Sequence, residues 1–288
     1  MSDWTAPLRG RPLTEKPWEG LPAQKKPWQF RVTAAIPVID GSDYLPLCVE
    51  LLRLQTEPVF IMLIDTGSAP VQFERIAEMR APHLEVHRIQ LHGVRHPSDF
   101  PAMAMDLAFT LCRSEWLFAT HQDVFLRRQD LLADLVARSR SENIAVLGYE
   151  ITPRQHDDWK GMISHTASMY HMPAMDRAGV AWSLRKLANL CGLEDHAPDP
   201  ARPNWPDTEV LSNYFFRHHQ LKTEIIGTEQ NYRRTLDDNI DHPRSIPSAA
   251  LYSADYLAAA QSALNAAVQE ARDRISLWQN NPVCRQRA

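Results

Sequence analysis

The sequence predicts an α/β protein built on a mostly parallel central sheet flanked by helices, and three observations lead to that class. Short runs of branched and aromatic apolar residues alternate with stretches whose apolar residues fall at helical spacing, the order expected of strand–helix–strand units. The first, second and fourth of these runs each end in a polar segment: Asp40-Gly41-Ser42-Asp43, Asp65-Thr66-Gly67-Ser68 and His121-Gln122-Asp123. The chain's 288 residues are 44% hydrophobic and 23% charged, enough apolar material for one full core or one and a half.

Residues 1–29 stand apart. Prolines at 7, 12, 17, 22 and 27, with Lys16-Pro17-Trp18 echoed by Lys26-Pro27-Trp28, forbid a helix and predict an extended arm. Its tryptophans either pack along the core or meet a partner.

From Arg31 to Val38 the branched residues predict a first strand, closed by the Asp40–Asp43 turn, which also caps a helix over 44–55. Val59–Ile64 reads as a second, buried strand. A helical stretch near 71–80 and a third strand, Leu84–Ile89, follow. Pro101 opens a helix through Cys112 with Met105, Ala108, Phe109 and Cys112 at helical spacing, and Trp116–Thr120 is a fourth strand. That strand runs straight into His121-Gln122-Asp123, so the triplet falls at a carboxyl end, the edge where open α/β sheets bind ligands. A helix near 128–140 and a strand over 144–149 come next. Residues 151–206 read as lids and acceptor-side loops, interrupted by a helix around 173–191. The remainder predicts a helix over 207–219, a strand over 221–226 and a polar loop over 235–248. An amphipathic packing helix over 253–280 carries Leu257, Leu264, Val268, Ile275 and Trp278 on or near one face.

The composition also excludes several functions. A net charge of −4, with no run of Lys or Arg longer than two residues, gives no electrostatic footprint for nucleic acid. Cys48, Cys112, Cys191 and Cys284 lie too far apart for a paired zinc spacing or a disulfide-stapled scaffold, and they read as reduced thiols. The N-terminus lacks the basic-then-apolar layout of a signal peptide, and no apolar run approaches the roughly 18 residues of a membrane span, which points to a cytoplasmic protein. A dinucleotide oxidoreductase would need a G-x-G-x-x-G turn, and a nucleotidyltransferase a glycine- and arginine-rich loop after the first strand. With ten glycines in all and Gly41 alone in that turn, both are absent. Nor is there a G-x-S-x-G elbow or an H-E-x-x-H helix for a hydrolase.

In order and texture, Ile36-Pro37-Val38-Ile39-Asp40-Gly41-Ser42-Asp43-Tyr44-Leu45, then Ile64-Asp65-Thr66-Gly67-Ser68, then His121-Gln122-Asp123-Val124, resemble the core of family-2 glycosyltransferases of the GT-A fold, a Rossmann-type arrangement. The resemblance covers roughly residues 30–245. It implies that Pro37, Val38, Asp40 and Asp65 contact the nucleotide, with Asp40 standing where the family usually has asparagine. The family's Asp-x-Asp motif is represented by His121-Gln122-Asp123. The first acid is lost, and His121 and Gln122 are assigned to the nucleotide-sugar. The last acid, Asp123, is kept as the metal contact. One carboxylate, phosphate oxygens and waters suffice to hold a divalent ion that neutralises a departing diphosphate.

Asp241-His242-Pro243-Arg244-Ser245 sits where the resemblance places a metal-completing histidine, His242, and Arg244 is a candidate phosphate contact through its guanidinium. Imidazole with carboxylate suits manganese better than magnesium. At the start of the 207–219 helix, Asp207-Thr208-Glu209 resembles the family's acidic pair, with Pro206 in place of a glutamate. Asp207 is the first candidate for the base that deprotonates an acceptor hydroxyl with inversion, and Glu209 the alternate. Both also fit as acids that stabilise a helix N-terminus. Trp159, Trp182, Trp205 and the 165–171 segment are candidates for the acceptor pocket or for core packing.

The organisation implied is an arm over 1–29, a catalytic domain over 30–250 and a C-terminal helix and tail over 251–288. Within the catalytic domain, 30–150 form the nucleotide-sugar half and 151–250 the acceptor-side half. The expected partners are a nucleotide-sugar donor and an acceptor left open among glycan, small metabolite, protein and modified nucleic acid, with the arm and the last helix as candidate oligomer interfaces. The alternative is a non-catalytic binding or scaffold protein of the same fold, motivated by His121 and Pro206, and behind it a nucleotidyltransferase, which can share a related α/β core.

Overall fold

The computed structural model describes residues 29–40, 44–89, 99–150, 161–182, 187, 208–228, 234–243 and 254–280. The expected N-terminal arm and most of the expected acceptor-side loops lie outside the described residues. The first half runs β1 (Val32–Val38), α1 (Leu45–Arg53), β2 (Val59–Asp65), α2 (Pro70–Ala77), β3 (Leu84–Arg88), α3 (Asp99–Leu111), β4 (Trp116–Thr120), β5 (Phe125–Leu126) and α4 (Leu131–Glu142). The second half runs β6 (Val146–Glu150), β7 (Ala167–His171), α5 (Met172–Ala178), α6 (Thr208–His218), β8 (Thr223–Thr228), β9 (Thr235–Leu236), β10 (Ile240–His242) and α7 (Ala254–Gln279).

Seven strands form one sheet in the order β3-β2-β1-β4-β7-β6-β8. Neighbours β3, β2, β1 and β4 are mutually parallel. β7 runs antiparallel to both β4 and β6, and β8 is parallel to β6. The chain steps outward from β1 through β2 to β3 and then returns to place β4 on β1's other side. The crevice beyond the carboxyl ends of β1 and β4 is therefore the topological switch point of the sheet.

The near-continuous apolar strands follow from burial on both faces. Along β1, Val32, Ala34, Ile36 and Val38 enter a core shared with α1, α4 and α7, while Ala35 faces the opposite core, shared with α3, α5 and α6. β2 and β4 divide the same way: Ile61, Leu63 and Phe118 on one side, Met62, Ile64 and Leu117 on the other. α7 lays Leu264, Ala267, Ala271 and Trp278 into the first core as a packing helix. Among the described residues no helix is long and apolar enough to cross a membrane.

Three elements depart from the sequence reading. β7 lies inside the sheet, between β4 and β6, within a region expected to be irregular. The helix expected over 173–191 starts at Met172 and ends at Ala178, because Gly179 takes a left-handed φ of 68° and its N–H closes the last turn. The expected polar loop over 235–248 contains β9 and β10, which join β5 in a small antiparallel sheet.

Gly148 on β6 is fixed by packing against β7: a Cβ there would overlap Ser168 Oγ and Ile163 Cγ2. Gly148→Ala is expected to cost about 1–3 kcal/mol, as overpacking does, read as a lower chemical-denaturation midpoint. An unchanged midpoint would mean that β6 and β7 part freely.

Candidate functional site

The switch point is built from three strand ends. Asp40, one turn beyond β1, adopts φ 46°, a left-handed conformation that Asp and Asn tolerate better than other non-glycine residues. Its N–H donates to Ser68 Oγ (2.9 Å) and its Oδ1 accepts from Ala69 N–H (2.8 Å), tying the β1 turn to the β2 turn. Val38 is buried and its carbonyl accepts from both Thr66 N–H (2.9 Å) and Thr66 Oγ1 (3.1 Å), while Pro37 is half-buried beside it. Pro37, Val38 and Asp40 thus line the end of β1, with only Asp40 exposed.

Asp65 ends β2 in register with Val38. Its carboxylate is fully buried. Oδ1 accepts from Ser68 N–H (3.1 Å) and Oδ2 lies 3.1 Å from Arg88 Nε. A carboxylate enclosed this way holds the turn and pairs with Arg88. Gln122 differs from its expected role more sharply. Its Oε1 accepts from Ile39 N–H (3.1 Å) and its Nε2 donates to Ile39 O (2.9 Å), so the carboxamide bolts the β4 end to the β1 end. A side chain with both amide groups committed to backbone has little left for a ligand.

On either side of Gln122, His121 and Asp123 converge with His242. One ligand atom from each of the three lies within 4.8 Å of the others. His242 Nε2 is 3.4 Å from Asp123 Oδ1, and the His121 and His242 rings stand 5.6 Å apart. The convergence has a backbone cause. β5 starts two residues after Asp123 and pairs with β10, Phe125 opposite Asp241 and Leu126 opposite Ile240, which carries His242 alongside Asp123. Asp241 is itself buried and takes a two-point ion pair from Arg234 (Nε 2.8 Å, Nη2 2.5 Å), which continues to Glu270 on α7 (3.1 Å).

Burial, and then His242, push the His121 imidazole down to about 4, against the opposing pull of Asp123 and Glu209. It is neutral at physiological pH and has a nitrogen lone pair to offer. Burial, and then the Asp123 carboxylate, push the Cys48 thiol up, so it stays protonated and donates to His121 O (3.6 Å).

These residues fit a divalent cation. Asp123 and His242 are buried, and His242 Nδ1 has no hydrogen-bond partner among the described residues. The nitrogen that faces Asp123 Oδ1, at 3.4 Å, is Nε2, and it is the one placed to share an ion with that carboxylate. One carboxylate with two imidazoles is a donor set for first-row transition metals.

Glu209 enters from the first turn of α6. Its Oε1 accepts from Ser164 Oγ (2.6 Å) and His165 N–H (3.0 Å). Burial works to raise its pKa, but His165, these two hydrogen bonds and His121 outweigh burial and hold it below the ordinary glutamate value. Ser164 and His165 were invisible as partners in the sequence, since their pairing with Glu209 spans 45 and 44 positions. Asp207 and Arg244, with Trp159 and Trp205, lie outside the described residues.

Trp182 is a core residue rather than part of an acceptor pocket. It is fully buried against Phe109, Tyr170 and His165, with ring centroids at 5.0, 5.3 and 4.8 Å. Of the 165–171 segment, residues 167–171 are β7 itself, and only its start reaches the site, through Glu209.

No family model matches the sequence, and no curated protein matches it. Solved structures do show likenesses of fold. S. aureus TarS 1–349 in complex with UDP-GlcNAc is 14% identical, with 53% of this chain and 48% of that one covered and a TM-score of 0.43. The mannosyltransferase PcManGT from Pyrobaculum calidifontis, in complex with GDP-Man and Mn2+, is 14% identical over 94% of this chain and 88% of that one, with a TM-score of 0.42. The glycosyltransferase GlyE of Streptococcus pneumoniae TIGR4 is 10% identical over 68% and 45%, with a TM-score of 0.45. The chain spans about half the length of the TarS 1–349 chain.

Proposed function

We propose that this chain is a metal-dependent glycosyltransferase that moves a sugar from a nucleotide-diphosphate donor to an acceptor hydroxyl with inversion. The observation that carries the reading is the meeting of Asp123 and His242, 3.4 Å apart, at the switch point of the sheet, with Glu209 entering from the first turn of α6. Asp123 and His242 hold a divalent ion in this reading, manganese before magnesium. When bound, that ion supplies positive charge to the diphosphate as it leaves. The backbone at Pro37, Val38 and Asp40 flanks the nucleotide, and Arg244 takes a phosphate oxygen.

Glu209, in the first turn of α6, is suited to act as the base. Oε1 is fixed by Ser164 and His165, which leaves Oε2 of a partly exposed side chain for an acceptor hydroxyl. Glu209 takes the hydroxyl proton as the acceptor oxygen forms its bond to the anomeric carbon, and the bond from that carbon to the diphosphate breaks on the opposite face. A carboxylate held ionised by hydrogen bonds is ready to accept that proton.

A thermal-shift panel of UDP, GDP, CDP, ADP and dTDP, each with and without Mn2+, tests the proposal. A ligand at 100 times its Kd stabilises the folded state by about 2.7 kcal/mol, which for a chain of this size raises the melting temperature by roughly 5 °C. At least one nucleotide is expected to give such a shift only when Mn2+ is present. Silence across the panel would favour the non-catalytic alternative.

A further inference from the structure

We infer that His121, Asp123 and His242 together form a resident metal site, which binds a transition-metal ion without any nucleotide and discriminates against magnesium. The inference rests on the reading of Asp123 and His242 as metal-holding residues, and it extends that reading in ligand number, metal identity and order of binding.

Ligand number sets the order. A centre with a single protein carboxylate needs the diphosphate to complete its shell, so metal and nucleotide arrive together. Here three protein donors are already gathered within 4.8 Å of one another. Two donors each about 2.1 Å from a common ion, at a near-tetrahedral angle, stand about 3.4 Å apart. That is the separation of His242 Nε2 from Asp123 Oδ1. His121 offers the third donor, within 4.8 Å of the other two, from the turn in which its carbonyl accepts from Val124 N–H (3.2 Å). Three ligands leave positions open for phosphate oxygens.

The frame that holds the donors owes nothing to a ligand. The β5–β10 pairing sets Asp123 beside His242, and the Arg234–Asp241 ion pair with Glu270 fixes the strand from behind. The ordering cost of gathering the ligands is therefore met by folding, which leaves more of the ligation energy as affinity.

Donor chemistry sets the metal. Magnesium asks for oxygen ligands in a near-ideal octahedron and dehydrates reluctantly. Imidazole suits zinc, iron, nickel and copper, with affinity rising along the divalent first-row series, and two imidazoles with one carboxylate is an arrangement that keeps open positions on such ions. A carboxylate at position 121 would have tilted the site toward oxygen-seeking ions, and His121 tilts it away.

The test uses the full-length protein, stripped with a chelator, dialysed and free of nucleotide. It is titrated separately with Co2+, followed by visible absorption, with Zn2+ and Mg2+ by calorimetry, and with Mn2+ by electron paramagnetic resonance. One ion per chain is expected for Co2+, Zn2+ and Mn2+, with no saturable Mg2+ binding. Removing even an outer-sphere partner costs 10–100-fold in metal affinity, so His121→Ala is expected to weaken Co2+ binding by about 100-fold or more and to change its spectrum. His121→Asp, which restores a carboxylate, is expected to gain Mg2+ binding, and circular dichroism verifies that both variants fold. Metal uptake only after UDP or GDP is added, or an unchanged Co2+ spectrum in His121→Ala, overturns the inference while leaving the transferase reading standing. Tight Co2+ binding whose spectrum no nucleoside diphosphate perturbs does the reverse.

Discussion

Asp123→Ala is expected to lower metal-dependent hydrolysis and transfer of the donor by about 10²–10³-fold, the loss that follows when a group stabilising developing charge is removed from a preorganised site. Asp123 is the sole carboxylate of the three-residue cluster, so its loss removes all the negative charge that the cluster offers a divalent ion. The two imidazoles that remain bring no negative charge to the site, and His242 already works to push His121 down. The residue is 3% exposed, which concentrates its field on the cluster rather than on solvent. Asp123→Asn separates charge from packing, because it keeps the shape and the neighbours. Both variants should lose Mn2+-dependent release of nucleoside diphosphate while retaining a far-ultraviolet spectrum like the wild type. A variant that keeps more than a tenth of wild-type turnover in saturating Mn2+ would remove the carboxylate from the proposed mechanism.

How much of this was legible in the sequence depends on length and burial. β1, β2 and β4 were readable because strands buried on both faces leave uninterrupted apolar runs, and their polar ends located the ligand-binding edge. Asp123 was readable for the same reason. β7 was not, because Ala167-Ser168-Met169-Tyr170-His171 sets two small residues before two large ones and a histidine, neither an apolar run nor an alternation, and it enters the sheet antiparallel. β5, β9 and β10 hold two or three residues each, too few for any period to register. Yet β5 and β10 bring His242 to Asp123, so the site's decisive geometry rested on its least legible elements. Gln122 and Asp65 show what position alone leaves open. Their positions were predicted, but whether a polar side chain at a strand end faces a ligand or clamps a neighbouring turn depends on partners elsewhere in the chain, Ile39 for Gln122 and Arg88 for Asp65. Trp182 was open between two roles until Phe109, Tyr170 and His165 closed around it.

Glu209→Gln is expected to cut transfer to an acceptor by about 10²–10⁴-fold, the usual contribution of a positioned general base, with much smaller changes in nucleotide and metal binding. Glutamine is nearly isosteric, and its carbonyl oxygen can still accept from Ser164 Oγ and His165 N–H, the two contacts that fix Glu209 now. What it lacks is a carboxylate able to take a proton. The loss should therefore fall on kcat rather than on the Kd of the donor, which single-turnover measurements beside nucleotide titrations would resolve. Ser164→Ala offers the contrast, since it releases one of the two hydrogen bonds on Oε1 while leaving the base in place, and a smaller loss is expected there. The acid two residues earlier provides the decisive comparison. If Asp207→Asn proves the crippled variant while Glu209→Gln transfers sugar at near wild-type rate, the base is Asp207, and the Ser164–Glu209–His165 arrangement serves to anchor the start of α6 against β7.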